Sequence, residues 1–114
     1  MEDSILTSVK KKIGMTETYT VFDDDVIDHI NTVFMILYQM GVGPSTPYAI
    51  EDASSTWDEF IPADNKNFNA VRTYVYLKAQ MVFDPPTSSS VMQAKKDAIT
   101  ELEWRLHLEA EINK

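Results

Sequence analysis

The chain contains no cysteine, which excludes a disulfide framework, a thiolate metal site and a thiol nucleophile. Its three glycines, Gly14, Gly41 and Gly43, fit neither the GxxxxGK nor the GxGxxG pattern that cradles a phosphate. Long apolar runs are also missing. The longest, Val33 to Tyr38, is six residues, against roughly 18 needed to span a bilayer. The start Met1-Glu2-Asp3 lacks the basic stretch and apolar core of a secretory signal, so none is expected. The most telling absence is of positive charge. Between residues 13 and 65 there is no Lys or Arg.

That same stretch of 53 residues holds ten acids: Glu17, Asp23, Asp24, Asp25, Asp28, Glu51, Asp52, Asp58, Glu59 and Asp64. Its net charge is −10, whereas the remainder carries ten bases and eight acids, net +2. The overall −8 argues against a clamp that must neutralise phosphates. Charge segregated on this scale makes one region electronegative, since screening at ordinary ionic strength acts over about 8–10 Å. Two readings stay open: solubility alone, or a surface that repels a polyanion or attracts a basic partner.

With 114 residues, 44% apolar and 25% charged, the chain is expected to form one soluble domain over 1–114 in a reducing compartment. Burying roughly two thirds of its unfolded surface suffices for one core. Helical periodicity recurs four times. Asp3-Ser4 can cap a first helix with Ile5, Leu6, Val9 and Ile13 inward. Lys10, Lys11 and Lys12 suit its negative end, and Gly14 stops it. A second helix starts at Asp23, Asp24 and Asp25, carries Val26, Ile30, Val33, Leu37 and Met40 at alternating spacings of four and three, and ends at Gly41. Its second half is apolar nearly all round, through Phe34, Met35, Ile36 and Tyr38, which predicts full burial or cover by another subunit.

Residues 42–65 read as one long irregular loop, punctuated by Gly43-Pro44, Pro47 and Pro62. Within it Ser54-Ser55-Thr56 can cap a single turn from Trp57 to Ile61, and Tyr48-Ala49-Ile50 is the one strand candidate. A third long helix is predicted over 66–83 with Phe68, Val71, Tyr74, Val75, Leu77, Met81 and Val82 inward, stopped by Asp84-Pro85-Pro86. Ser88, Ser89 and Ser90 offer caps for a final helix. Its stripe is Val91, Ala94, Ala98, Ile99, Leu102 and Leu106, with Trp104 and Leu108 on another flank. The fold expected is all-α, a small domain of four to five helices.

Candidate chemistry is thin. An EF-hand over Asp23–Asp28 fails because Val26 and Ile27 occupy ligand positions and no glycine intervenes; these aspartates read as charges favouring the helix N-terminus. His29 and His107 form no HExxH pair, and no nucleophile-elbow pattern points to a serine. Paired carboxylates are numerous without pointing anywhere. Trp57 and Trp104 read as core or interface anchors. No catalytic residue, metal site or cofactor is expected.

Seven ordered blocks carry a resemblance. They are Ser8-Val9-Lys10-Lys11-Lys12-Ile13-Gly14, Phe22-Asp23, Met40-Gly41-Val42-Gly43-Pro44, Trp57-Asp58-Glu59-Phe60, Val75-Tyr76-Leu77-Lys78, Phe83-Asp84-Pro85-Pro86 and Glu101-Leu102-Glu103-Trp104-Arg105-Leu106. Together they resemble the small head–tail connector proteins, also called head-completion, adaptor or DNA-packaging proteins, of long-tailed bacteriophages and prophages of Gram-positive bacteria. The resemblance implies a non-enzymatic virion protein, made in the host cytoplasm, that forms a ring under the portal. Such a ring extends the DNA channel without binding DNA tightly and meets a tail-side adaptor or stopper. It also marks Gly14, Gly41, Gly43, Pro44, Trp57, Phe83, Asp84, Pro85 and Pro86 as structural. Relatives can carry a longer tail toward the portal than the eight residues after Leu106 here, which leaves anchoring by tail insertion open. Met35, Ile36 and Trp104, lying off their helices' core stripes, are the expected subunit contacts. The modest patches a 114-residue subunit can present and its net charge of −8 predict a monomer or weak oligomer in isolation, whose association salt promotes by screening. An acidic DNA mimic and a helical protein-binding regulator are the alternatives.

Overall fold

The computed structural model describes residues 4–16, 18–44 and 46–112. They form five helices in chain order: α1 (Ile5–Lys12), α2 (Asp23–Met40), α3 (Trp57–Phe60), α4 (Phe68–Phe83) and α5 (Ser89–Ile112). The fold is all-α, as expected. Among the described residues the only β-pairing is an isolated bridge between Ser4 and Thr56.

Each helix end has a local cause. Ser4 caps α1, its Oγ accepting from the Thr7 N–H at 3.2 Å; the other predicted cap residue, Asp3, lies outside the described residues. Gly14 follows α1 at φ 85°. Gly41 closes α2 in the left-handed region, its N–H bonding back to Tyr38. Ser88 Oγ accepts from the Val91 N–H at 3.4 Å to start α5. α4 begins at Phe68, two residues later than predicted, because Asn65 first makes a turn whose carbonyl takes the Phe68 N–H.

α4 is the central element and packs against α1, α2 and α5. Val26, Ile30, Val33 and Leu37 of α2 meet Val71, Tyr74, Val75 and Ala79 of α4 and Ile5, Leu6 and Val9 of α1 in one core. Each Val, Leu or Ile among them contributes about 1.5–3 kcal/mol by leaving water. Phe34, in the half of α2 expected to be fully buried or covered by another subunit, is buried within the chain and stacks on Phe60 with ring centroids 4.2 Å apart.

The segment 42–65 is less of a loop than its prolines suggest. Val42, Ile50, Trp57, Phe60 and Ile61 all reach the core. The strand candidate at 48–50 does not pair with another strand; the side chain of Asn31 takes up the backbone of Ile50 instead. The serines before α3 do not cap it. Thr56 precedes the helix without a side-chain bond, Ser54 bonds to Asp52, and the Ser55 carbonyl accepts from the Ile5 N–H. Trp57 Nε1 donates to Ser8 Oγ at 2.9 Å, which spares a buried N–H a penalty of about 1–3 kcal/mol. At Gly43, φ is 98° and a Cβ would sit 2.7 Å from Phe60 Cζ, so any side chain there is strained and must displace Phe60.

The largest departure from expectation is α5. Of its predicted stripe only Leu106 is buried; Ala98, Ile99 and Leu102 are half-covered, and Val91 and Ala94 are exposed. The reason is geometric. A helix of 24 residues is about 36 Å long, close to the 40 Å longest dimension of a body only 21 Å thick. α4 and the end of α2 can cover one side of it. Val82 of α4, predicted inward, is exposed for the same reason near the α4–α5 corner.

Candidate docking surfaces

Of the ten large apolar side chains exposed among the described residues, four lie on α5 and three, Tyr19, Val21 and Phe22, just before α2. Trp104, Leu108 and Ile112 follow at spacings of four and are 62%, 41% and 66% exposed, forming a stripe over the last turns. Beside it lies a hollow of about 310 Å³ lined by Ala70, Leu102, Trp104 and Leu108. This hollow runs into a larger groove of about 470 Å³ between the Met40–Gly43 turn, Asn65 and Ala110. The two share Leu106, and the ion pair between Lys66 and Glu109, at 2.8 Å, lies where they meet. Of the other expected contact residues, Met35 is exposed on the outer side of α2 and Ile36 is half-buried.

A second surface is acidic. Asp24, Asp25 and Asp28 are exposed on the first turns of α2, and Glu51, Asp52, Asp58 and Glu59 are exposed further along. Asn31 lies one turn after Asp28, and its grip on Ile50 ties the segment that carries Glu51 and Asp52 to the middle of α2. Hydrogen bonds from Ser54 hold the Asp52 carboxyl below its ordinary pKa. Glu59 accepts from the Tyr48 hydroxyl at 2.8 Å. Burial and that carboxylate push the Tyr48 phenol up. Asp23 differs from its neighbours. Half-buried, it pairs at 2.8 Å with Lys10, whose side chain is only 3% exposed, so it belongs to the packing of α1 on α2 rather than to the open acidic face. Glu17 lies outside the described residues.

At the Phe83-Asp84-Pro85-Pro86 corner, Asp84 terminates α4 with its N–H on the Gln80 carbonyl. Phe83 packs edge-on against His29 of α2 at 5.7 Å. His29 Nε2 is buried without a hydrogen-bond partner among the described residues. Burial first, then the charge of Lys78, depresses its pKa. Tyr74 donates to Glu103 at 2.7 Å across the α4–α5 contact, and its pKa is raised by burial and that carboxylate.

The sequence pattern did not reveal a third surface. Arg72, Tyr76 and Gln80 recur every four residues on α4. Arg72 donates through Nε and Nη2 to the Tyr76 hydroxyl at 3.2 and 3.0 Å, and Gln80 donates to the Lys12 carbonyl at 3.0 Å. Lys12 Nζ stands 5.4 Å from the Tyr76 ring centroid, and Lys95 donates to Gln80 Oε1 at 2.8 Å. The i, i+4 spacing of Arg72, Tyr76 and Gln80 was the available signal, but Lys12 and Lys95 join them only in three dimensions.

Among the described residues no group of three or more His, Asp or Glu side chains could hold a metal ion, and no helix is long and apolar enough to cross a membrane. His29 and His107 sit on α2 and α5. The described residues thus form a thin all-α body with its longest helix largely uncovered and its charges sorted into patches. The family model described as phage connector protein matches residues 5–113, and the chain belongs to that family. It is thus a structural component of the virion, whose associations are with other phage head and tail proteins. Comparison with curated proteins finds no match, and comparison with solved structures finds none.

Proposed function

We propose that this protein is a non-enzymatic, ring-forming connector at the head–tail junction, acting as one helical domain over residues 1–114. It docks on the portal, meets a tail-side adaptor or stopper, and lets DNA pass without binding it tightly. It assembles in the host cytoplasm and remains in the virion. The observation that carries this reading is the uncovered stripe Trp104, Leu108 and Ile112 on a helix of which Leu106 alone is buried. An isolated soluble chain has no use for such a stripe, whereas a closed ring repeats one modest apolar contact many times over. Met35 adds exposed apolar area on α2, with the half-buried Ile36 beside it. The exposed acids from Asp24 to Glu59 support passage rather than capture of DNA, because they offer phosphates repulsion instead of ion pairs.

Deleting the gene from its phage is expected to give DNA-filled heads without tails. Adding the purified protein should place a ring at the portal vertex, visible by electron microscopy, and restore joining. Trp104→Ala with Leu108→Ala should leave the monomer folded and reduce ring occupancy. Normal virions without the protein, or a tight one-to-one complex with a basic DNA-binding enzyme and none with portal, would overturn the reading.

A further inference from the structure

Lys12, Arg72 and Lys95 come from three helices, yet side chains of α4 hold them in one strip. Both Lys12 Nζ and the Arg72 guanidinium carbon lie within 6 Å of the Tyr76 ring centroid. The guanidinium also lies 5.2 Å from the Phe68 ring and 5.8 Å from Trp57. Gln80 then joins the Lys12 carbonyl to the Lys95 ammonium. What holds these cations is therefore a phenol, an amide and aromatic faces. None of the three forms an ion pair with a carboxylate among the described residues.

This is unexpected in a chain with 18 acids and 10 bases. Three like charges held together repel one another, and the cheapest relief is a set of carboxylates from outside. The tether of Arg72 uses Nε and Nη2, leaving Nη1 for such a partner. The same molecule carries a complementary set. Asp24, Asp25 and Asp28 are exposed at the start of α2, with Asp24 and Asp28 one turn apart on one face. Strip and acids are different patches, so the strip of one copy can take the acids of the next head to tail, a heterologous contact of the type that closes into rings.

We infer that the strip of Lys12, Arg72 and Lys95 receives the acidic start of α2 from a second copy of this chain, which sets the direction of subunit contact in the ring. The inference rests on the ring reading above and deepens it. DNA is the poorer occupant: three cations neutralise too few phosphates to offset a chain of net charge −8. Contrary to the expectation from net charge alone, salt should then weaken subunit association.

Charge reversal tests this on connector-less, DNA-filled heads scored for rings by electron microscopy. One variant carries Lys12→Glu and Arg72→Glu, the other Asp24→Lys and Asp28→Lys, and circular dichroism melting confirms that both fold. Each alone should fill about a tenth or fewer of the heads that wild type fills. The two mixed should recover occupancy, because each then offers its neighbour the opposite charge. High salt should lower wild-type occupancy. If both variants alone form rings as wild type does, or the mixture fails to recover, this inference falls while the ring reading stands. If wild type forms no ring on such heads, both fall. Duplex DNA binding by wild type that Lys12→Glu with Arg72→Glu abolishes would assign the strip to nucleic acid instead.

Discussion

The side-chain amide of Asn31 replaces a β-strand for Ile50: Nδ2 donates to the Ile50 carbonyl at 3.0 Å, and Oδ1 accepts the Ile50 N–H at 2.8 Å. One polar residue on α2 thus satisfies both backbone groups of a buried position in an irregular segment, where an unpaired group would cost about 1–3 kcal/mol. Asn31→Leu is expected to destabilise the fold by about 2 kcal/mol in urea unfolding, and to expose 48–55 to hydrogen exchange. Asn31→Asp, which keeps the acceptor and loses the donor, should fall between. A neutral effect of Asn31→Leu would show that the segment is held by Ile50 burial alone.

Gly43 and Gly14 both have positive φ, but only Gly43 is crowded. Alanine at Gly14 meets nothing within 4 Å and should cost only the left-handed backbone, about 1–2 kcal/mol. Alanine at Gly43 must also displace Phe60, which is stacked on Phe34. Its loss of melting temperature should exceed that of Gly14→Ala. Equal losses would mean that Phe60 yields freely.

The depressed pKa of His29 makes stability depend on pH. Above about pH 6.5 the imidazole is neutral in both states and contributes nothing. As the pH falls below that, the unfolded chain takes up the proton first, so stability drops until the folded pKa is reached. His29→Gln should remove this part of the pH profile, measured by denaturant titration from neutral to mildly acidic pH. An unchanged acid limb would show that His29 protonates equally in both states.

α4 stops at Phe83, just before Pro85-Pro86, and this corner is expected to set the angle between α4 and α5. Replacing both prolines with alanine should leave far-ultraviolet circular dichroism nearly unchanged while lowering ring occupancy on heads. Full occupancy by the double variant would make the corner dispensable.

The helices themselves were legible in the chain because their causes are local. Val26, Ile30, Val33 and Leu37 repeat at helical period, Asp23 to Asp25 suit the positive end of α2, and Gly41 can adopt the left-handed stop at no steric cost. The same locality made the corner at Asp84 readable and the ordered blocks recognisable. Burial is not local. Val91 and Ala94 sit on the apolar stripe of α5, yet no element of this thin body reaches them, whereas Phe34 is covered because Phe60 arrives from 26 residues away. Sequence likewise determined that positive charge is absent from 13–65, but only the packing of α1, α4 and α5 decided that Lys12, Arg72 and Lys95 share a strip, and that Asp23 leaves the acidic face for Lys10. Periodicity reports which side of a helix is apolar; what stands opposite that side depends on contacts between residues distant in the chain, and those exist only once the core has closed.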